Sequence, residues 1–216
     1  MKVKLTEAES KRCCVPQGGT HARRCEYIVK PIPLSIARDL VKQEHYTHSA
    51  ANTAVTSHGL VRCDGEVVGA ALWLPGPTPG AAKTVEPVEW RRVLHLSRVV
   101  VSPGEPTNAA SLLVGRSVQL IRSKNHELRK QGKPTWKTLL TYADEGRRGH
   151  GGTIYKATNW EPLGKTVPER AWVTPDGQQV SRKATKTRTK AELEALGLTY
   201  LGTFHKQKFV MRLEKK

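Results

Sequence analysis

A carboxylate, an imidazole and a phenol fall within twelve residues in the stretch LTYADEGRRGHGGTIYKATNW, residues 140–160. They are Asp144, His150 and Tyr155, and glycines with Arg147 and Arg148 fill the space between the first two. Together they supply proton acceptors and donors of the kind used in general acid–base catalysis. A plain surface connection needs a turn and some polarity, not this set. Asp144 ends the apolar run WKTLLTYAD, and the carboxyl end of a strand is where open α/β sheets hold ligands. The competing reading is an Asp that caps a turn. His150 is the second acid–base candidate, or a loop histidine among glycines. Tyr155 falls in a short helical stretch, where its phenol either reaches a cleft or packs as a core aromatic.

Other residues join them. Arg98 stands inside the apolar run LSRVVV, and a guanidinium there needs an anionic partner, Asp144 among the candidates, or an open cleft. Ser111 presents a hydroxyl in the first turn of a helix among small residues, which also suit close packing. His45 and Tyr46 close another helix, a place that favours histidine as a C-terminal cap. Cys13, Cys14 and Cys25 cluster with His21, but their spacing matches no standard zinc pair. The cysteines read as reduced thiols, and Cys63, alone in an apolar run, as core packing.

The elements that position these residues alternate between α and β. Residues 25–32 read as a strand, followed by an amphipathic helix in which Leu34, Ala37, Leu40 and Val41 recur at three-to-four spacing. VTSHGLVRC and EVVGAALWL are joined by Asp64 and Gly65, a pair that favours a tight antiparallel hairpin. Residues 75–87, rich in Pro and Gly, read as a loop, and residues 94–102 as a buried strand. Thr107 or Asn108 caps a long helix reaching about Lys130, stopped by Gly132 and Pro134. WKTLLTYAD then completes a βαβ unit with parallel strands. AWVTPDGQQV holds a second Asp-Gly turn, TKAELEALG opens on a Thr189–Glu192 capping box, and KQKFVMRL is the last strand. The fold class is α/β, a mixed central sheet flanked by helices. Residues 1–24 read as a Cys-containing basic arm and 25–216 as one catalytic domain.

Thirty-six Lys and Arg against 19 Asp and Glu give the 216-residue chain a formal charge of +17. Such an excess attracts polyanions through counterion release, so nucleic acid leads the partners. Arg147, Arg148, Arg182, Lys183, Lys186, Arg188 and Lys190 are the phosphate candidates, in two clusters. No apolar run approaches the roughly 20 residues of a membrane-spanning helix. The amino terminus has no apolar segment of a secretory signal, which points to the cytoplasm.

The element order resembles the GNAT acetyltransferase fold over roughly residues 25–214. That fold holds the acyl-CoA pyrophosphate on N–H groups of a glycine-spaced loop before the long helix. Here the place reads SPGEPTNAAS, with one glycine, an acidic Glu105, and Pro103 and Pro106 lacking N–H donors. HY at 45–46, LSR at 96–98, NAASLLVGRS at 108–117, YADEGRRGHGGTIYKATNW and the closing HKQKFVM are similar to the Mom family of bacteriophage DNA-modification proteins. The resemblance implies a GNAT-like enzyme, placed in the cytoplasm of a bacterial host. Its reaction would convert adenine in DNA to a carbamoylmethyl adenine at the exocyclic amine, protecting the DNA from host restriction. It implies DNA as partner, with a homodimer as the oligomer to consider, and leaves the group donor open between an acyl-CoA type and iron-dependent chemistry, with no protein metal ligand assigned. Catalytic candidates are then Asp144, Tyr155, His45, Tyr46, Arg98, Ser111 and His150. An N-acetyltransferase acting on a small amine or protein, and a non-enzymatic basic DNA-binding protein, are the alternatives.

Overall fold

Strand and helix signals in the chain become sixteen short and long elements in a computed structural model, which describes residues 1–13, 26–45, 50–144 and 151–214. In chain order these are α1 (Glu7–Ser10), β1 (Tyr27–Pro31), α2 (Leu34–Glu44), β2 (Thr56–Arg62), β3 (Val67–Pro75), α3 (Pro79–Lys83), β4 (Val93–Val101) and α4 (Ala109–Lys130). They continue with β5 (Thr138–Asp144), α5 (Thr153–Lys156), β6 (Glu161–Lys165), β7 (Glu169–Val173), α6 (Arg182–Thr185), α7 (Lys190–Ala195), β8 (Thr199–Phe204) and β9 (Lys206–Arg212). Seven strands form a mixed sheet in the order β1-β2-β3-β4-β5-β9-β6, and β7 pairs with β8 separately. The chain divides into two compact units. The first holds residues 1–141, 154–161 and 210–216, the second residues 142–153 and 162–209.

The first unit is built on the hairpin that Asp64 and Gly65 turn. Gly65 has φ +84, and the Val3 carbonyl oxygen would lie 2.7 Å from any Cβ there. A side chain would be barred on both counts. β1, β2 and β3 are antiparallel neighbours, and β3 pairs antiparallel with β4. On one face Ala37, Leu40 and Val41 of α2 pack with Val61, Val67, Ala70, Leu72 and Val100. Trp73, next to Leu72 and so on the opposite face, bonds Ser117 of α4. That helix buries Ala109, Leu113, Val114, Ser117, Val118, Ile121 and Asn125, the three-to-four pattern of a stripe facing a sheet. Each Leu fully buried this way contributes about 1.5–3 kcal/mol. Asn125 clamps the helix to the next strand's approach, donating to the Trp136 carbonyl at 2.7 Å and accepting from its N–H at 3.0 Å. β4 and β5 are parallel, the βαβ unit read from the sequence.

The second unit is smaller. β7 and β8 form an antiparallel pair, Trp172 packs against Tyr200 with ring centroids 5.1 Å apart, and Leu193 of α7 is buried. Thr189 and Glu192 make the expected capping box.

Several expectations are corrected. The loop at 75–87 contains α3, with Thr78 accepting from the Ala81 N–H as its cap. Asn108 is the N-cap of α4 but makes no side-chain cap bond. The Asp-Gly turn at 176–177 closes only a short bridge, Val173 to Gln179, and β7 finds its main partner in β8, which the sequence reading had not identified. Residues 1–13 do not stand off as an arm. The Val67 N–H donates to the Met1 carbonyl, the Val3 N–H to the Gly65 carbonyl, and Val3 and Leu5 pack on the core. That lacing explains the largest correction, because it carries Cys13 alongside the β2–β3 turn. Cys13 and Cys63 are joined by a disulfide, Cα to Cα 5.6 Å, instead of standing as a thiol and a core residue.

Candidate active site

Pairing between β4 and β5 covers Val93 with Thr138, Leu94 with Leu139 and His95 with Leu140. Beyond it, on the other edge of β4, Leu72 opposes Arg98 while its neighbour Trp73 opposes Leu96, so Ser97 is an extra residue in the strand. Bulges of this kind re-aim side chains and are enriched beside active sites. The Thr141 hydroxyl donates to the Leu96 carbonyl at 3.0 Å, at the point where the parallel ladder stops. Arg98 follows the bulge and donates from Nη1 to the Ser97 carbonyl at 2.8 Å, with Ser97 Oγ at 3.4 Å. It is half-buried, as is His95.

His95 was missed in the sequence, where it read as one more strand residue. Burial, and then the charge of Arg98, pushes its pKa down to about 4. The imidazole is therefore neutral at pH 7, a hydrogen-bond partner and only a weak base beside a fixed cation. A polar residue two positions before Ser97 in an apolar strand was the available signal.

Next to the first turn of α4 lies a groove of about 600 Å³, lined by Asn108, Ser111, Arg116, Arg122, Asn159 and Arg212 among others. Ser111 sits where the sequence reading put it, and its Oγ donates to the Asn108 carbonyl at 2.9 Å. Asn159 closes α5 in the left-handed region at φ 61, which Asn tolerates, and the Trp160 N–H donates back to the Tyr155 carbonyl at 3.0 Å. This turn drives Trp160 into the core. Tyr155 is buried against it, centroids 5.8 Å apart, and Trp160 stacks on Trp73 at 6.3 Å. The aromatic reading of Tyr155 thus holds in the geometry.

Behind the stack runs a buried polar chain that the sequence did not reveal. The Trp73 indole N–H donates to Ser117 Oγ at 2.7 Å, Ser117 Oγ lies 2.5 Å from His58 Nδ1, and Thr56 Oγ1 lies 3.1 Å from His58 Nε2. Ser117 Oγ accepts from Trp73 and also meets His58 Nδ1, and the imidazole's tautomer sets which of the two donates in that second bond. Burial lowers the His58 pKa to about 4, and the ring is neutral.

The loop before α4 does not fit the pyrophosphate cradle of an acyl-CoA. Pro103 and Pro106 offer no N–H, and the Ala109 N–H is bonded to the Pro106 carbonyl at 2.9 Å. The Glu105 side chain is 1% exposed; its carboxylate accepts from the Tyr27 hydroxyl at 2.6 Å and pairs with Arg62. Burial and that carboxylate push the Tyr27 pKa up to about 12.

The remaining candidates are elsewhere. His45 is the C-cap of α2, its N–H bonded to the Val41 carbonyl at 3.0 Å. In the second unit Asp144 is the half-buried last residue of β5. Gly152, in the motif that follows, has φ +72, and a Cβ there would run into the Phe209 ring. That requirement accounts for one motif glycine without any ligand. Arg182 is exposed but pairs with Glu169 at 2.6 Å, and Lys190 lies 3.7 Å from Glu194. Arg188 donates to the Ala184 carbonyl at 2.9 Å, and Lys186 is exposed at the end of α6. Lys183 lies in α6. Tyr46, Arg147, Arg148, His150, Cys14, His21 and Cys25 lie outside the described residues. Among the described residues no three His, Cys, Asp or Glu side chains converge as metal ligands, and no helix is long and apolar enough to cross a membrane.

The sequence pattern of the Mom protein family matches residues 26–212. No curated protein matches the chain. Among solved structures, a mutant spermidine N-acetyltransferase from Vibrio cholerae superposes with a TM-score of 0.50 at 7% identity, over 87% of this chain and 94% of that one. A GNAT superfamily phosphinothricin acetyltransferase from Sinorhizobium meliloti, in complex with AcCoA, gives 0.49 at 8% identity over 87% and 88%. A ribosomal-protein-alanine N-acetyltransferase from Brucella melitensis gives 0.47 at 13% over 86% and 99%. The first of these likenesses is one of fold: a mixed sheet flanked by helices, as in the acetyltransferases.

Proposed function

The chain belongs to the Mom protein family, and from that membership we propose that it is a transferase that modifies DNA, placing a carbamoylmethyl group on the exocyclic amine of adenine and so shielding phage DNA from host restriction. The family match over residues 26–212 carries this reading, and the charge of +17 supports DNA as the partner. The bacterial cytoplasm, where phage DNA is made, is the compartment this implies, and a homodimer is the oligomer to test.

An adenine amine in a duplex is paired, so the target base is taken out of the stack or met in a single strand. The amine's lone pair is delocalised into the ring, so it must be oriented and relieved of a proton. Asp144 accepts an N–H bond from that amine, which orients it, and is the acceptor for the proton the amine must lose. Arg98 is the fixed cation at the bulge, and His95 is a neutral acceptor beside it. Ser111 orients the incoming group at the start of α4, and His45, Tyr46, His150 and Tyr155 remain the further candidates for contact with the base or the donor. Arg147, Arg148, Lys186 and Arg188 hold phosphates, with Arg182, Lys183 and Lys190. No step is routed through acyl-CoA, which the loop at 102–106 does not suit.

Nucleosides from DNA of cells making the soluble protein, digested and weighed by mass spectrometry, should include a deoxyadenosine heavier by the added group. Unmodified deoxyadenosine in a host that supplies the donor would overturn the enzyme reading. Acetylated small amines or proteins would favour a conventional N-acetyltransferase instead.

A further inference from the structure

A second groove, of about 730 Å³, opens where β4 and β5 begin and α4 ends. It is roughly 15 Å along β4 from the Ser97 bulge, taking about 3.3 Å per residue. Trp90, Arg91, Arg92, Arg129, Lys133 and Glu214 line it. Its size falls within the range of about 300–1,000 Å³ in which ligand sites cluster. The six side chains divide into two sets.

One set is structural. Arg92 donates to the Thr135 carbonyl at 2.5 Å, pairs with Glu89 at 2.6 Å and lies 3.5 Å from Glu214. Arg129 is 3.9 Å from the same Glu214 carboxylate, and Lys137 pairs with Glu89 as well. These cations outnumber the carboxylates they meet. The other set has no such work. Arg91 is exposed and lies over the Trp90 ring, 4.4 Å from its centroid, with no carboxylate partner among the described residues. Lys133 is exposed and likewise without an ion pair among the described residues, just beyond Gly132, whose φ of +65 turns the chain out of α4.

We propose that this groove binds a single strand of DNA, with a base stacked on the Trp90–Arg91 platform and a phosphate met by Lys133. The proposal rests on the reading of the protein as one that acts on DNA. An indole and a guanidinium are the two planar groups on which unpaired bases stack, and free cations beside them supply the funnel for the backbone. A plain helix C-terminus would attract cations too, but it does not call for a half-buried tryptophan beneath an arginine. Duplex DNA hides its base faces, so the platform selects unpaired strand, which extraction of a target base produces.

Fluorescence anisotropy of the full chain with a labelled oligothymidine, and separately with a duplex of the same length, tests this. Replacing Trp90 and Arg91 together by Ala should weaken oligothymidine binding by about 5- to 150-fold, the range for losing one stacked base, and duplex binding much less. Trp90→Phe should keep most of the affinity. Lys133→Ala should reduce the slope of log affinity against log salt by about 0.7. Unchanged oligothymidine affinity in a double variant that melts like the parent would overturn the proposal. Equal losses for single strand and duplex would also overturn it, since charge alone would then act. If the unaltered protein binds no oligothymidine yet modified deoxyadenosine forms, this groove falls and the enzyme reading stands. If binding depends on Trp90 and no modified nucleoside forms, the enzyme reading falls and the groove stands.

Discussion

The two compact units hold their shape by different means. In the first, strands are sealed on one face by α2 and on the other by α4, and Leu60, Leu72, Trp73, Leu94 and Leu113 are fully enclosed. The second, with a two-stranded pair, two short helices and the wholly exposed strand β6, fully encloses only Trp172, Leu193 and Phe209 among its large described side chains. Arg98, Ser111, Tyr155 and His45 belong to the first unit; Asp144 and the 182–190 basic cluster belong to the second. The large core supplies rigidity and holds Arg98, and the small unit carries Asp144 and the 182–190 basic cluster. Small cores are the weaker ones, because buried area falls faster than chain length.

The strongest test of that division is Asp144→Asn. The substitution keeps shape and hydrogen bonding but removes charge and basicity, so modified deoxyadenosine should vanish while the melt stays near the parent's. A turn-capping Asp would tolerate Asn, and full activity would falsify the catalytic role.

Core substitutions come next. Leu113→Ala should cost about 2–5 kcal/mol and lower the cooperative melt. Trp172→Ala, at about 3–5 kcal/mol, should open the second unit first, read as fast hydrogen exchange of β7 and β8 amides while β2 and β3 stay protected. Uniform exchange in both units would break the comparison. Reducing the Cys13–Cys63 bridge, which closes 50 residues, should cost about 4 kcal/mol in chain entropy and be felt in the first unit.

Acid should act on the first unit. His58 ionises near 4 when folded and near 6.5 in an open chain, so the unfolded state binds more protons between those values. Its contribution is complete above about pH 6.5 and is lost as pH falls through 4, up to about 3 kcal/mol. Chemical denaturation from pH 7 to pH 4.5 measures it together with the like contribution of His95, and His58→Gln should remove part of the dependence.

The smallest effect concerns the basic cluster. Arg182, Lys186 and Arg188 should not count equally in the salt dependence of DNA affinity. Arg182 is engaged with Glu169, so Arg182→Ala should alter stability by no more than about 1 kcal/mol and the salt slope less than Lys186→Ala does. Equal slopes would place all three on phosphate.

Legibility followed range. The β2–β3 hairpin, α4 and the α7 capping box were readable because Asp64 and Gly65, the three-to-four stripe from Leu113 to Ile121, and Thr189 with Glu192 act locally. What stayed hidden was set by distant partners. Nothing near His58 announces Ser117, 59 positions away, and nothing near Cys63 announces Cys13. Glu105 read as a charge at a helix start, and only the fold brings Tyr27 and Arg62 to its carboxylate. In the candidate site, Arg98 and Ser111 were found by type, while the bulge at Ser97 that sets off Arg98 depends on pairing with β3.

Gly152 and Phe209 lie 57 positions apart, and the Phe209 ring fills the space that a side chain at Gly152 would take. Selection therefore cannot treat the two positions as independent. Across chains of this family a side chain at the first should be accompanied by a smaller residue at the second, and even then the left-handed backbone admits little beyond Gly and Asn. Gly152 and the last strand are therefore coupled positions, and moving this glycine into another scaffold without the ring that faces it removes part of the reason it must be glycine.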